Sequence, residues 1–335
     1  MAFLNHILKQ TTNHRDAVQS SGVTPRAASR AKESAALDSR QPGSWPETFI
    51  NPRDGSAMRL IPAGTFTMGS TEQDIENARS LDQDGPNFAL HETPQFDLFV
   101  PSFYMSVFAV TNEQFARFLS ERQPSPALFD LWVYSTAHIV KPDGKSGGYC
   151  VDRGFERHPV VHVTWFGAEA YCRWAKLRLS TEVEWEKAAR GTDARLFPWG
   201  NEWHDDFLRW HCNSHPESEP TAEVDAYPEG RSPYGIFQMA GNVAEWCEDW
   251  YLPNAYHEHA AGNRRPPSSG GERVLRGGTC VQWHRLKFRC AMRQASTPAF
   301  ANGDFTGIRC ACDLRQKTSP AELSVHKAGT HKSEL

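Results

Sequence analysis

The sequence predicts an α+β fold with little regular secondary structure, in which short strands and short capped helices are set among long turns. Composition is the first reason. The 335 residues include 11 tryptophans, 24 glycines and 22 prolines, which suits irregular loops pinned by large aromatic rings rather than a helix bundle. The second reason is pattern. Extended apolar runs repeatedly lead into helices that open on a Thr-x-x-Gln or Thr-x-x-Glu capping box. With 39% hydrophobic and 23% charged residues, the chain has the balance of a globular protein with a substantial core.

Taken in order, residues 1–45 are rich in Ser, Ala, Gln, Thr and Arg and hold no persistent apolar period. They are expected to be a disordered leader with a short helix over Ala27–Leu37, and residues 315–335 a flexible tail of the same character. Met58–Ser70 alternates apolar positions around Pro62-Ala63-Gly64 and reads as a hairpin. Phe96–Val110 reads as two extended runs broken at Pro101-Ser102. Thr111 and Gln114 then form a capping box ahead of Phe115, Phe118 and Leu119 at helical spacing. His158–Trp165 reads as another extended run, with His162 as a hydrogen-bonded core histidine, and Phe166–Leu177 as a helix. Thr181 and Glu184 box the next helix, which Gly191 ends. Glu182 and Glu186 fall one turn apart; the favoured reading sets them against the helix dipole rather than as an acid–base pair.

Several function classes are disfavoured. Lys and Arg total 36 against 40 acidic residues, a net charge of -4, so nothing favours nucleic acid or an anionic membrane as partner. No run approaches the ~18 apolar residues of a membrane span, and Met1–Lys9 is broken by polar residues before a signal-peptide core forms. A cytoplasmic, monomeric protein is expected. There is no GxGxxG after a strand and no Gly-Lys-Ser or Gly-Lys-Thr phosphate loop. The 8 cysteines contain no CxxC pair, which argues against a zinc ribbon; a zinc site at His211, Cys212 and His215 rests on short spacing alone.

The informative stretch runs from Gly241 to Arg309. Gly241, Asn242, Glu245 and Asp249 offer oxygen donors in a glycine-containing bend, the chemistry of a hard cation. Further on, Gly277-Gly278 tolerates positive φ and so presents Thr279 and Cys280 from a tight turn. A thiol held there is either a small buried hydrophobe or a reactive group. The basic-aromatic run His284–Arg293 follows.

Seven segments, spread in order over Pro52–Leu314, together resemble the sulfatase-modifying-factor family, whose best-known members are formylglycine-generating enzymes. They are Ile61-Pro-Ala-Gly-Thr-Phe-Thr-Met-Gly, Val110-Thr-Asn-Glu-Gln-Phe, His158-Pro-Val-Val-His-Val-Thr-Trp, Leu179–Gly191, Phe197-Pro-Trp-Gly-Asn, Gly241-Asn-Val-Ala-Glu-Trp and Arg276-Gly-Gly-Thr, with Gly307-Ile-Arg closing the series. The resemblance implies one domain over 52–314 with a formylglycine-generating-enzyme-like fold and a C-type-lectin-like core. It also implies an oxidoreductase that uses copper(I), oxygen and two cysteines to oxidise a cysteine of a peptide; soft thiolates suit copper(I).

Residue by residue, the first family cysteine falls on Cys280 and the second on Arg285. The expected groove is lined by Thr279, Cys280, Trp283, His284 and Arg285. Arg285, Arg289 and Arg293 either orient an anionic or peptide group or tie loops to Asp and Glu. The aromatic residue that generators carry in the Gly-Asn motif is Ala244 here. The resemblance assigns calcium to Gln238, Gly241, Val243 and Glu245, mostly through carbonyls, with Asn213 and Ser214 beginning a second site. Cys172 and Cys310 match a family disulfide pair, and Cys290 faces Ala189 in place of its cysteine partner. The sulfoxide-synthase branch is disfavoured, since no histidine-rich helical domain fits before Met58. The alternative to an enzyme is a non-catalytic peptide- or ligand-binding module on the same scaffold.

Overall fold

The first strands, β1 (Thr48–Ile50) and β2 (Ala57–Ile61), pair antiparallel and open the larger sheet of this computed structural model. It describes residues 45–80, 91–133, 138–140, 148–203, 221–282, 284–300 and 305–314. The 315–335 tail, the Ala27–Leu37 helix and all but the last residue of the 1–45 leader fall outside them.

After β2 the chain enters β3 (Gly64–Met68), the short helix α1 (Glu72–Ser80), β4 (Phe96–Val100) and β5 (Phe103–Ser106). The expected Met58–Ser70 hairpin does not form. β2 pairs with β5, while β3 pairs with β4 in a separate two-stranded sheet. Two strand pairs thus cross from one sheet to the other at Pro62-Ala63 and at Pro101-Ser102. Proline gives no ladder donor, so a crossing is a natural use of these positions. The Ala63 N–H donates to Ser102 Oγ at 2.8 Å. Below the crossing, fully buried Lys187 donates to the carbonyls of Pro62, Gly64 and Val100 at 2.6, 3.1 and 3.2 Å. One ammonium therefore satisfies acceptors that the departing strands leave open.

Helices follow the cap signals. α2 (Asn112–Arg122) starts at the Thr111–Gln114 box, with both reciprocal bonds present. α3 (Pro126–Trp132) leads to the small pair β6 (Ile139–Val140) and β7 (Cys150–Val151). The His158–Trp165 run makes only isolated bridges, from Pro159 to Thr111 and from Val163 to Val133. His162 takes a positive φ of 54° rather than a strand conformation. α4 (Trp165–Trp174) is capped by Thr164, β8 (Arg178–Leu179) follows, and α5 (Glu182–Arg190) carries the second box, from Thr181 to Glu184, and stops at Gly191.

The second half supplies β9 (Ala244–Trp250), α6 (Ala255–Ala260), β10 (Arg273–Arg276), β11 (Gln294–Ser296), β12 (Thr306–Gly307) and β13 (Cys310–Asp313). The larger sheet has the order β1-β2-β5-β13-β8, all antiparallel, and a four-stranded sheet has the order β11-β10-β9-β12 with only β12 parallel to its neighbour. One core cluster packs α2 and α4 (Phe115, Phe118, Tyr171, Trp174) against Trp246 and Ile308; another joins Phe66, Met68, Trp185, Met239, Tyr256 and Cys290. Buried indoles find acceptors: Trp165 Nε1 donates to the Cys247 carbonyl at 2.9 Å and Trp246 Nε1 to the Val163 carbonyl at 2.8 Å.

Between these elements lies a buried lattice of guanidinium and carboxylate. Arg276 donates to Glu182 Oε1 at 2.8 Å, to Glu186 Oε2 at 2.7 Å and to the Cys290 carbonyl. Arg293 adds two bonds to Glu182, at 2.7 and 3.0 Å. Arg190 pairs with Glu186 at 3.2 Å. Glu182 and Glu186 are therefore neither an acid–base pair nor simple partners of the helix dipole. Burial alone would push Glu182 up, but Arg293 and Arg276 outweigh it and hold the carboxyl below its usual range.

Removing one partner of such a buried pair strands the other charge, at a cost of roughly 3–5 kcal/mol. Arg276→Ala is expected to lower the unfolding free energy by about that amount. Arg157→Ala, which breaks the exposed pairs to Glu223 and Asp225, is expected to cost under ~1 kcal/mol. Urea unfolding of the two variants beside wild type checks the contrast.

Candidate functional site

β10 ends at buried Arg276, and the next two residues turn with φ of 96° at Gly277 and 72° at Gly278. Space as well as φ requires glycine here. A Cβ on Gly277 would meet the Trp185 ring at 3.1 Å; one on Gly278 would meet the Lys287 carbonyl at 3.1 Å and Gln282 Oε1 at 3.2 Å. Thr279 and Cys280 follow, both buried. The Cys280 N–H donates to the Asn242 carbonyl at 3.0 Å, which ties the turn to the Gly-Asn bend. The Thr279 N–H donates to Gln282 Oε1 at 3.2 Å, and Gln282 Nε2 donates to Gln294 Oε1 at 2.9 Å. Thr279 Oγ1 and Gln294 Nε2 are buried with no hydrogen-bond partner among the described residues.

Of the other groove residues, Trp283 lies outside the described residues, while His284 and Arg285 are half-buried. The Arg285 guanidinium sits 5.5 Å from the centroid of the Trp203 ring. Trp203 belongs with Trp199, Phe197 and Phe288 to an aromatic wall, and the Phe288 ring reaches within 3.2 Å of where a Gly278 Cβ would stand. The sequence presents Phe197–Trp203 only as an anchored turn. What brings it to the site is the bond from the Cys290 N–H to the Leu196 carbonyl, 2.8 Å long, between residues far apart in the chain.

Arg289 and Arg293 do not line the groove. Arg289 is buried against Glu92, with a 3.1 Å bond to Oε2 and a second to Oε1. Arg293 is held by Glu182 and by the carbonyls of His91 and Leu252. Both tie loops to carboxylates, the other of the two roles the sequence left open.

The donor set for copper differs from a two-cysteine pair. Cys280 is the sulfur this turn presents, and by the family correspondence alone Arg285 takes the second cysteine's place. Burial pushes the Cys280 thiol up to about 12, and the Cys290 thiol likewise to about 12. Among the described residues no three or more His, Cys, Asp or Glu side chains gather as a metal site. By the family correspondence this turn presents one sulfur, and a second would have to come from a distant cysteine such as Cys290.

For calcium, the Glu245 carboxylate is committed. It accepts from Arg309 Nε and Nη2 at 2.7–3.0 Å and from Trp185 Nε1 at 2.7 Å. Gln238 Oε1 accepts from Asn242 Nδ2 at 2.7 Å. The Glu245 side chain is thus spent, which leaves the backbone carbonyls of Gln238, Gly241 and Val243 as the expected donors; the Gly241 carbonyl also accepts from the Val243 N–H at 3.0 Å. Asn213 and Ser214 of the second calcium site, like His211, Cys212 and His215, lie outside the described residues. Cys172 and Cys310 stand side by side as free thiols, Sγ to Sγ 3.5 Å.

The description "Sulfatase-modifying factor enzyme 1-like domain" matches residues 46–314. The formylglycine-generating enzyme of Streptomyces coelicolor is 34% identical, with 80% of this chain and 93% of that enzyme covered. Hercynine oxygenase of Mycolicibacterium smegmatis is 32% identical over 76% of this chain and 61% of its own length. A protein of Chlamydia caviae named serine/threonine-protein kinase pkn1 is 38% identical over 76% of this chain, which spans only 37% of that relative's length. Among solved structures, PvdO from Pseudomonas aeruginosa superposes with a TM-score of 0.60 at 22% identity, covering 82% of this chain and all of its own, which supports the fold. No helix among the described residues is long and apolar enough to cross a membrane.

A perturbed carboxyl often marks a functional site, and here that carboxyl is Asp249, pushed up to about 7. Burial is the main cause, and the charges of Glu182, Glu248 and Glu184 add to it; the bond from the Glu182 N–H, 2.6 Å long, pulls the other way. Asp249 thus caps the start of α5 rather than serving the turn. A carboxyl raised above its unfolded value gives stability that is fully present near pH 4 and is lost as pH rises to about 7. Asp249→Asn keeps the acceptor without the charge. It is expected to be more stable than wild type at pH 8 by roughly 1–3 kcal/mol, with the difference closing toward pH 4. Unfolding curves across pH check the slope.

Proposed function

We propose that this chain, which belongs to the sulfatase-modifying factor enzyme 1-like family, is an oxidoreductase that oxidises a thiol or the cysteine of a peptide in an oxygen-dependent reaction. The supporting observation is the Cys280 thiol, held at the end of the Gly277-Gly278 turn in a chain akin to formylglycine-generating enzymes over most of its length. Cys280 would be the reacting or metal-binding sulfur, and the Thr279 hydroxyl a polar contact beside it. Arg285, laid on Trp203, would orient an anionic or peptide group, and His284 would complete that rim. No step is assigned to copper(I), because by the family correspondence Arg285 would stand where the second sulfur is needed. The reading takes a peptide, protein or smaller thiol as substrate, and goes with a monomer acting in the cytoplasm.

A second reading is favoured by the state of that thiol. Buried and pushed up to about 12, Cys280 is neutral at ordinary pH and is not an activated nucleophile. The same face would then serve a non-catalytic peptide- or ligand-binding module. Anaerobic copper(I) titration of wild type, Cys280→Ser and Cys290→Ser, with oxygen uptake on a cysteine peptide, separates the two. The oxidoreductase reading expects stoichiometric copper in wild type, lost in Cys280→Ser, together with oxygen uptake. No copper and no uptake would leave the binding module.

Calcium is proposed for the backbone carbonyls of Gln238, Gly241 and Val243. Removing it with a chelator is expected to lower Tm by about 2–4 °C for each kcal/mol of binding lost, with recovery on adding calcium but not magnesium, which demands stricter geometry. An unchanged Tm under chelation would remove calcium from this bend.

A further inference from the structure

Cys280 can react or ligate only if it becomes reachable, yet its side chain is fully buried. The segment that carries it is tied to other described elements in few places. Residues 279–282 follow two glycines, the residues that best tolerate a change of backbone angle. Among the described residues, two hydrogen bonds join this segment to other elements: the Cys280 N–H to the Asn242 carbonyl, and Gln282 Nε2 to Gln294 Oε1 on β11.

The direction of the amide pair is fixed. The Thr279 N–H can only donate, so it must face Gln282 Oε1; Gln282 then turns its NH2 to Gln294 Oε1, and Gln294 Nε2 is left pointing away. In the closed form both Gln294 Nε2 and Thr279 Oγ1 are buried without a partner among the described residues. Buried groups in that state oppose closure, and opening would let water satisfy both. The exposed Val281 side chain, 41% accessible, adds little apolar burial in compensation.

We propose that residues 279–282 form a gate that carries the Cys280 thiol between a buried and a solvent-reached position, hinged at Gly277-Gly278 and latched by the Gln282–Gln294 amide pair. Gln282 and Gln294 are positioning residues that set how often the thiol meets solvent. The proposal holds whether or not Cys280 takes part in an oxidation, because it concerns access alone.

Alkylation of the folded, reduced protein by N-ethylmaleimide, followed at each cysteine by peptide mass spectrometry, tests it. Gln294→Leu removes the latch. It should speed labelling of Cys280 at least ~10-fold, or ~1.4 kcal/mol in the opening equilibrium, with Tm and the rates at buried Cys247 and Cys290 unchanged. Gln294→Glu keeps an acceptor for Gln282 and removes the stranded donor, so its Cys280 should label at the wild-type rate or more slowly. If Gln294→Leu does not fold, Gln282→Met breaks the same bond from the other side and is read in the same way. The gate is overturned if the latch variant labels Cys280 at the wild-type rate. It is equally overturned if Cys247 and Cys290 accelerate in step with Cys280, or if Gln294→Glu opens the site as much as Gln294→Leu.

Discussion

The constraint on which the rest depends is the burial of Arg276 between Glu182 and Glu186. A guanidinium out of water is tolerable only when its donors are met by carboxylates and carbonyls in fixed directions. Here those acceptors come from α5 and from the Cys290 carbonyl, and Tyr256 joins from α6. Glu186 also receives the Gly69 N–H at 2.8 Å, so the end of β3 is fixed by the same carboxylate. Arg276 is therefore less a source of net stability than a statement of register. Few other arrangements of these loops would leave no charge stranded.

The same device recurs where regular structure gives out. Arg309 bonds to Glu245 and to the carbonyls of Ser106, Val107 and Phe237, which joins the β12–β13 connection to β5 and β9. Arg289 and Glu92 fasten the segment before β4 to the run that follows the turn. Strands that, apart from β9, have two to five residues carry few ladder bonds, so long loops must satisfy their polar groups by side chains. Buried Arg, Lys and Asn residues do this, and the indole N–H groups contribute in the same way. The glycine turn is a by-product of that arrangement: Arg276 fixes where β10 stops, and Trp185 fills the space that only glycine at 277 leaves open.

What the sequence disclosed follows from the range of each interaction. The Thr111 and Thr181 boxes and the Gly191 stop are contacts within four residues, and they are legible because partner and spacing are both local. The Met58–Ser70 segment was legible as strand but not as to partner. Its alternation fits either a hairpin or a sheet crossing, and Lys187, more than a hundred residues away, decides between them. Glu182 and Glu186 looked like first-turn acids because their partners lie about 90 to 110 residues distant. Arg289 and Arg293 resembled binding residues for the same reason: a basic run reads alike whether its charges face a ligand or a buried carboxylate. The aromatic wall at Trp199 and Trp203 left a local signal, but nothing local said which loop it would face.

Most residues of the family motifs thus serve the scaffold, and this bears on what the site can do. Arg276, Glu245, Asn242 and Trp246 are each spent on internal bonds, so their presence specifies the fold and leaves the chemistry open. Chemistry must come from groups that the scaffold presents without using, and around this turn, among the described residues, these include the Cys280 sulfur, the Thr279 hydroxyl and the Gln294 amide N–H2. Exchanging a cysteine for Arg285 replaces a soft metal donor with a permanent cation laid on an aromatic face. A permanent cation suits an anionic or carbonyl-rich group better than it suits a metal ion. A scaffold held by long-range ion pairs can accept such exchanges on its turns, because the buried pairs of Arg276, Arg289, Arg293 and Arg309 lie outside residues 277–285.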